Sequence, residues 1–353
     1  MITVSPAARE AVDVEIDASL SRLQARTARR GPSARALADA TARAAAGGKR
    51  LRPALVVASF EAFGGSAAET RGVSQVAAAF ELLHTAFVVH DDLIDRDTQR
   101  RGAPNVGGEF RARAGGAGAT ADGAALLGDA AAVLSGDLLL FEATRMVATA
   151  ALPDATRAAL LELLDDAILV SAIGELADVE HAVLPDYPDT PALLNAAHDK
   201  TAAYSFRAPL AAGALMADAT AAERTAVETI GGLLGLAFQL VDDLIGTFGT
   251  AEQAGREPGA DLREAKRTPL IALAQHSPAW PRVSSALAVA HTGPIALRAA
   301  QRELDASGAR EELITLVRET LAQAQRLGAE TSLGAPVVSL LAQLATAIDE
   351  RIP

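Results

Sequence analysis

Two stretches carry residues whose types and spacing could do chemistry. The first, Glu81-Leu-Leu-His-Thr-Ala-Phe-Val-Val-His-Asp-Asp-Leu-Ile-Asp95, is an apolar run of helical character ending in Asp91, Asp92 and Asp95. On a helix Asp91 and Asp95 share one face and can grip one cation, while Asp92 sits one step round the turn. Carboxylates near a helix C-terminus oppose the macrodipole, at roughly 0.3–1 kcal/mol each. A helix that accepts that cost has something positive to hold. The phrase recurs as Gly232-Leu-Leu-Gly-Leu-Ala-Phe-Gln-Leu-Val-Asp-Asp-Leu-Ile-Gly246, with Asp242 and Asp243 in the same apolar context. The bland alternative is two unrelated solvated helix ends. The repeated context favours two helices that face each other across a cavity, an acidic rim above an apolar well.

Cations stand near these acids. Gly47-Gly48 is followed by Lys49, Arg50 and Arg52, a geometry in which backbone and side chains can converge on an anion. Arg100 and Arg101 lie just beyond the first carboxylates, and Lys200-Thr201 and Lys266-Arg267 come later. Any one of these could be an ordinary solvated surface pair. Hard carboxylates without cysteine or a paired-histidine motif point to Mg²⁺, which binds through one or two carboxylates plus substrate phosphates. The rest of the substrate should be hydrocarbon, because the helices behind the acids are apolar. A metal-held diphosphate above a greasy well suggests heterolytic loss of diphosphate from an allylic ester, with water excluded from the carbocation.

These residues need helices to position them. Half of the 353 residues are hydrophobic and only 3% are aromatic, which with abundant alanine predicts an all-α protein. Helical periodicity runs over 5–29 on Ala8, Val12, Ile16, Leu20 and Leu23. Further helices are expected over 33–46, 54–63, 67–95, 126–151, 154–184 and 220–246, then from Lys266 to His276, and over 282–291, 294–328 with room for a break near Gly308, and 335–351. The Gly- and Ala-rich stretch 107–124 shows no clear period and reads as a mobile loop, and 247–264 reads as a Gly-rich and charged loop. No strand pair and no domain-dividing linker is visible, so 1–353 reads as one domain. With no cysteine, disulfides, thiol nucleophiles and zinc–thiolate sites are excluded. A formal charge of −12 argues against nucleic acid and anionic membranes as partners. The N-terminus lacks a signal-peptide core, and the apolar runs read as buried helices, so a cytoplasmic protein without stable membrane insertion is expected.

As a set, several motifs resemble those of the trans-prenyltransferases, the isoprenyl diphosphate synthase (polyprenyl synthetase) family. They are Gly-Gly-Lys-Arg-Leu-Arg-Pro, Asp-Asp-Leu-Ile-Asp, Arg-Arg-Gly-x-Pro, Gly-Asp-Leu, Lys-Thr-Ala, Phe-Gln-Leu-Val-Asp-Asp and Asp-Leu-Arg-Glu-x-Lys-Arg-Thr, spread over residues 40–350. The resemblance implies an all-α isoprenoid-synthase helical bundle around a central cavity, usually as a homodimer. It implies Mg²⁺ on Asp91, Asp95 and Asp242, with Asp92 and Asp243 supporting. It places an allylic diphosphate on Arg100, Lys200 and Lys266, and isopentenyl diphosphate on Lys49, Arg52, His84 and Arg101. Thr201 and Gln239 would flank the reacting carbons. A histidine on a half-buried helix is more often a packed core residue, but His84 lies two turns before Asp91 on the same face. The resemblance also implies a chain-length floor at Leu83, Ala86 and Phe87. One small and one bulky residue just before Asp91 suggest an intermediate stop, geranylgeranyl diphosphate (C20) with farnesyl diphosphate (C15) second.

The chain departs from the family pattern in three places. Gly246 stands where many members have a third aspartate, Arg256 where lysine is common, and Glu175 where glutamine is common. Two rivals share parts of the pattern. A class I terpene cyclase would need only one diphosphate site, whereas Lys49, Arg52 and Arg101 supply a second basic set. A non-catalytic regulatory subunit of a prenyl synthase should have lost acidic ligands, and only Gly246 points that way.

Overall fold

The computed structural model describes residues 4–185, 188–254 and 258–353, and Arg256 lies outside the described residues. Its helices begin where local chemistry says they should. Helix α1 (Pro6–Thr27) starts with proline at its first position, and the Ser5 hydroxyl accepts from the Ala8 N–H at 3.1 Å. Its buried stripe includes all five apolar positions expected from the periodicity. Helices α2 (Pro32–Ala45), α3 (Leu51–Ala62) and α4 (Arg71–Ile94) follow. Most of α4 is buried, from Gly72 through to Asp92.

After α4 the chain makes a minimal antiparallel pair, β1 (Gln99–Arg100) with β2 (Ala103–Pro104), in a helical fold where no strand pair was expected. Its tight turn puts Arg101 at φ 54° and Gly102 at φ 77°, the left-handed pair that a two-residue hairpin requires.

The expected loop over 107–124 is instead mostly helix: α5 (Val106–Gly116), a short connection, and the start of α6 (Ala121–Ala148). Asn105 caps α5 by accepting from the Gly108 N–H at 2.8 Å. Val106, Phe110 and Ala114, one turn apart, are buried, and α5 packs on α6. Burying a valine and a phenylalanine returns roughly 1.5–3 kcal/mol each, against about 1 kcal/mol per interior glycine. The four glycines of α5 all sit in its end turns, where that penalty is smallest.

Helix α7 (Asp154–Val183) leads to one long helical run. This run is α8 (Thr190–Ala197), a π-helical stretch His198–Arg207 and α9 (Ala208–Met216). Helix α10 (Ala221–Phe248) opens with a complete capping box, Thr220 with Glu223. Then come α11 (Ala251–Ala254), α12 (Ala260–Arg263), α13 (Pro269–Gln275), α14 (Trp280–Leu287), a 3₁₀ turn Ala290–Thr292, α15 (Pro294–Ala306), α16 (Ala309–Glu330) and α17 (Ala335–Asp349). The helix expected to begin at Lys266 begins at Pro269, because Ala265 turns at φ 54°.

The described residues form two compact units, residues 4–164 with Leu215–Asp218, and Asp165–Ala214 with Ala219–Pro353. In the first, α4 packs on α6, α3 and α1. The buried Glu142 of α6 accepts from Ser19 of α1 at 2.7 Å and pairs with Arg22 and Arg145. In the second, α10 packs on the π-helical stretch and on α16. By length and composition α4, α6 and α10 could each cross a membrane. The apolar windows of α4 and α10 are 78% and 67% buried inside the protein, and that of α6 only 33%.

Candidate active site

In the first unit the acids sit at the end of α4. Asp95 closes the helix with its N–H on the Asp91 carbonyl at 2.8 Å, so Asp91 and Asp95 are one turn apart as the spacing predicts. Asp92 is buried and points to Arg100, whose Nε donates to it at 2.8 Å. A guanidinium nitrogen of Arg100 also lies 3.7 Å from Asp91. Burial raises the Asp92 carboxyl above its usual range, and the hydrogen bond from Arg100 only partly offsets that.

The hairpin turn sends its two arginines to different anion sites. Arg100 reaches the aspartates, while the Arg101 guanidinium lies 3.7 Å from where a Cβ on Gly48 would be. Gly47 and Gly48 both have φ > 0, at 73° and 94°, followed by Arg50 at 52°. Arg50 holds this left-handed turn in place through Glu81 at 2.9 Å, Asp13 at 3.0 Å and the Ala45 carbonyl at 3.1 Å. Lys49 is exposed on the same turn. His84 is held well below the ordinary histidine range, first by burial and then by the charges of Arg52, Arg100, Arg101 and Arg50. The imidazole is therefore neutral here, and the arginines around it carry the charge. Of the floor residues, Leu83 and Ala86 are fully buried, and Phe87 keeps part of its surface exposed.

In the second unit Lys200 and Thr201 sit in the π-helical stretch, a local widening common at functional sites. Gly174 of α7 is what lets the backbone at Asp199 and Lys200 come so close, because a Cβ there would collide with it. The Lys200 ammonium pairs with Asp178 at 2.8 Å and with Glu175 at 3.0 Å, so the glutamate at the unusual position is a lysine partner. On α10 the Gln239 amide donates to Asp243 at 2.9 Å. Burial pushes the Asp243 carboxyl well up, helped by the Asp261, Asp242 and Asp178 charges and opposed by Gln239. Lys266 lies 3.6 Å from Glu264.

Sequence reasoning gave no role to the residues that hold the basic turn or to Arg351. Arg50, Glu81 and Asp13 hold the basic turn, and only the neighbouring glycines hinted at a constrained backbone. Arg351 pairs with Asp242 at 2.5 Å and stacks 4.2 Å over the Phe238 ring. An isolated arginine at the far end of the chain carried no signal of that. Asp261, which opens the Asp-Leu-Arg-Glu-x-Lys-Arg-Thr motif, lies on α12 with its carboxylate against Gly246 of α10.

The donor set suits Mg²⁺, since hard carboxylate oxygens are paired one turn apart and no soft ligand is present. Among the described residues no group of three or more acidic or imidazole side chains is placed to hold a metal ion.

Residues 34–291 match the family described as Polyprenyl synthetase. The chain is 32% identical over 227 residues to a geranylgeranyl diphosphate synthase of Sulfolobus acidocaldarius, a match spanning 64% of this chain and 62% of that enzyme. It is 33% identical to the octaprenyl diphosphate synthase of Escherichia coli, over 65% of this chain and 63% of that one. Among solved structures, the geranylgeranyl pyrophosphate synthase of Corynebacterium glutamicum, complexed with isoprenyl diphosphate and magnesium, is similar with a TM-score of 0.89. It is 26% identical and covers 99% of this chain and 100% of its own.

Proposed function

Because the chain belongs to the polyprenyl synthetase family, we propose that it is a Mg²⁺-dependent prenyltransferase. It would join isopentenyl diphosphate head to tail to an allylic diphosphate. The allylic C–O bond breaks, diphosphate leaves, a C–C bond forms and a proton is lost. The observation that carries this reading is the hairpin. Arg100 is committed to the aspartates and Arg101 to the Gly47-Gly48 turn. Two cationic groups aimed at two places suit two diphosphates, whereas a terpene cyclase needs one.

Mg²⁺, when bound, would neutralise the charge developing on the departing diphosphate. Asp91, Asp95 and Asp242 would hold it, with Asp92 and Asp243 supporting. Arg100, Lys200 and Lys266 would bind the allylic diphosphate. Lys49, Arg52, Arg101 and neutral His84 would bind isopentenyl diphosphate. Thr201 and Gln239 would flank the reacting carbons.

The product we favour is C20, with C15 second, and Phe87 is the residue we assign to the floor. Its partly exposed ring supports that assignment over the fully buried Ala86 and Leu83. We also read the protein as a cytoplasmic homodimer. Helix α6 leaves Leu126, Leu127, Leu134 and Phe141 exposed. A second copy would cover that face, and the formal charge of −12 disfavours an anionic bilayer there.

The test is to supply purified protein and Mg²⁺ with isopentenyl diphosphate and each allylic diphosphate in turn, and to resolve products by length. Prenyl diphosphates longer than the starter support the reading. Hydrocarbon made from an allylic diphosphate alone identifies a cyclase, and inertness towards every pair identifies a regulatory subunit.

A further inference from the structure

Of the 32 basic residues in the chain, only Lys49, Lys200 and Lys266 are lysine; the rest are arginine. A guanidinium stays protonated and does not act as a nucleophile, so side-chain amine chemistry has three places to go. The structure sorts them. Lys200 is held by Asp178 at 2.8 Å and Glu175 at 3.0 Å, and Lys266 lies 3.6 Å from Glu264. Both are half-buried. Lys49 is exposed, and no carboxylate among the described residues pairs with it. Glu81 and Asp13, the acids that reach its turn, are both bound by Arg50. Lys49 stands among cations instead. The Arg101 guanidinium lies 3.7 Å from where a Cβ on the adjoining Gly48 would be. The charges of Arg50, Arg52, Arg100 and Arg101 all reach His84 of α4.

We propose that Lys49 is a site of covalent acylation by acyl phosphates, and that the acyl group closes the turn to isopentenyl diphosphate. An acyl phosphate carries the dianionic group that these guanidiniums attract, with an electrophilic carbonyl joined to it through one oxygen. Neither of the other lysines combines an exposed, carboxylate-free amine with such recruitment. The step balances. The ammonium gives one proton to water, and the amine attacks the carbonyl carbon to form a C–N bond. The C–O bond to the phosphate breaks, and hydrogen phosphate leaves with the second proton. The product is a neutral amide, without the positive charge that would hold a diphosphate. The acylation itself follows from exposure, pairing and the arginines. Its consequence for catalysis rests on the assignment of Lys49 to isopentenyl diphosphate given above.

The test incubates the full chain with acetyl phosphate in the absence of Mg²⁺ and follows each lysine by peptide mass spectrometry. Lys49 should react about tenfold or more faster than Lys200 or Lys266, because clustered cations raise the local concentration of an anionic donor. Saturating inorganic diphosphate should slow Lys49 by a similar factor. Arg101→Gln should slow it several-fold. Raised ionic strength should do the same in wild type, a reading that needs no variant to fold. An uncharged donor, the N-hydroxysuccinimide ester of acetate, should respond to neither change. Equal rates at the three lysines overturn the proposal, and so does a Lys49 rate indifferent to diphosphate and to salt. Protein acetylated at Lys49 should show a KM for isopentenyl diphosphate raised about tenfold, the scale of a lost charge-assisted contact. If Lys49 is acetylated with the expected selectivity and that KM does not move, the closure fails together with the placing of Lys49 in the isopentenyl diphosphate site, and the acylation site stands.

Discussion

The two acidic helix ends use one sequence phrase and finish the job differently. At the end of α4 the carboxylates come from a single helix, and the following hairpin adds Arg100 as their counter-charge. At the end of α10 the helix supplies Asp242 and Asp243. Beyond it Asp261 of α12 fills the space beside Gly246, and the C-terminal Arg351 pairs with Asp242. Helix periodicity alone therefore shows the acids at both ends but not the arginine that pairs with Asp242. An arginine beside each cluster makes the same physical sense in both. Closely spaced carboxylates repel, and a guanidinium stabilises them until a stronger cation arrives.

The largest effect should come from removing one charge from either cluster. Asp91→Asn and Asp242→Asn should each lower kcat by about a hundredfold or more, the usual scale for losing charge stabilisation in a transition state. Steady-state turnover near wild type in one variant but not the other would break the parity between the two ends.

The next effect separates the two arginines of the hairpin. Arg101→Ala, like Lys49→Ala and Arg52→Ala, should raise the KM for isopentenyl diphosphate by about tenfold and change the allylic KM less, since a charge-assisted contact contributes roughly 1.5–3 kcal/mol. Arg100→Ala should do the reverse. Equal shifts in both KM values for both variants would dissolve the division of labour.

Glu142 offers a control, a buried carboxylate with no assigned part in catalysis. Burial pushes its pKa up, but hydrogen bonds from Arg22, Ser19 and Arg145 outweigh this and hold it below the ordinary glutamate value. A depressed folded-state pKa adds stability above the unfolded value, and that stability is lost as pH falls through the folded one. Glu142→Gln should cost about 1–3 kcal/mol in denaturant unfolding at neutral pH. The gap from wild type should narrow in acid below the ordinary glutamate pKa, and the Mg²⁺ requirement should stay unchanged. A gap that widens in acid would reverse the sign argued here.

The smallest effect belongs to Arg351. Removing a cation that competes for Asp242 should lower the half-saturating Mg²⁺ concentration of Arg351→Gln by a few-fold, in line with surface-accessible ion pairs of about 0.2–1 kcal/mol. A raised requirement would make Arg351 a helper of metal binding.

Much of this was legible in the chain. The buried stripe of α1 and the aspartate turns of α4 and α10 follow the helical period directly. The hairpin was not legible, because its turn needs φ > 0 at Arg101, a residue that seldom adopts it. Helix α5 was hidden because glycines at both ends masked the Val106, Phe110 and Ala114 spacing, and its stability comes from packing on α6. The π-helical stretch was hidden because its widening depends on close contact at Gly174, which is remote in sequence. Arg351 and Asp261 reach the second cluster by tertiary contact, and neither position carries a periodic signal.

The central claim is a coupled condensation that needs both acidic ends. Its most direct test counts diphosphate released against isopentenyl units incorporated, in wild type, Asp91→Asn and Asp242→Asn at saturating Mg²⁺. The account predicts one diphosphate per unit in wild type, and loss of both signals together in each variant. Diphosphate release without incorporation in wild type, or full incorporation with either aspartate removed, would contradict it.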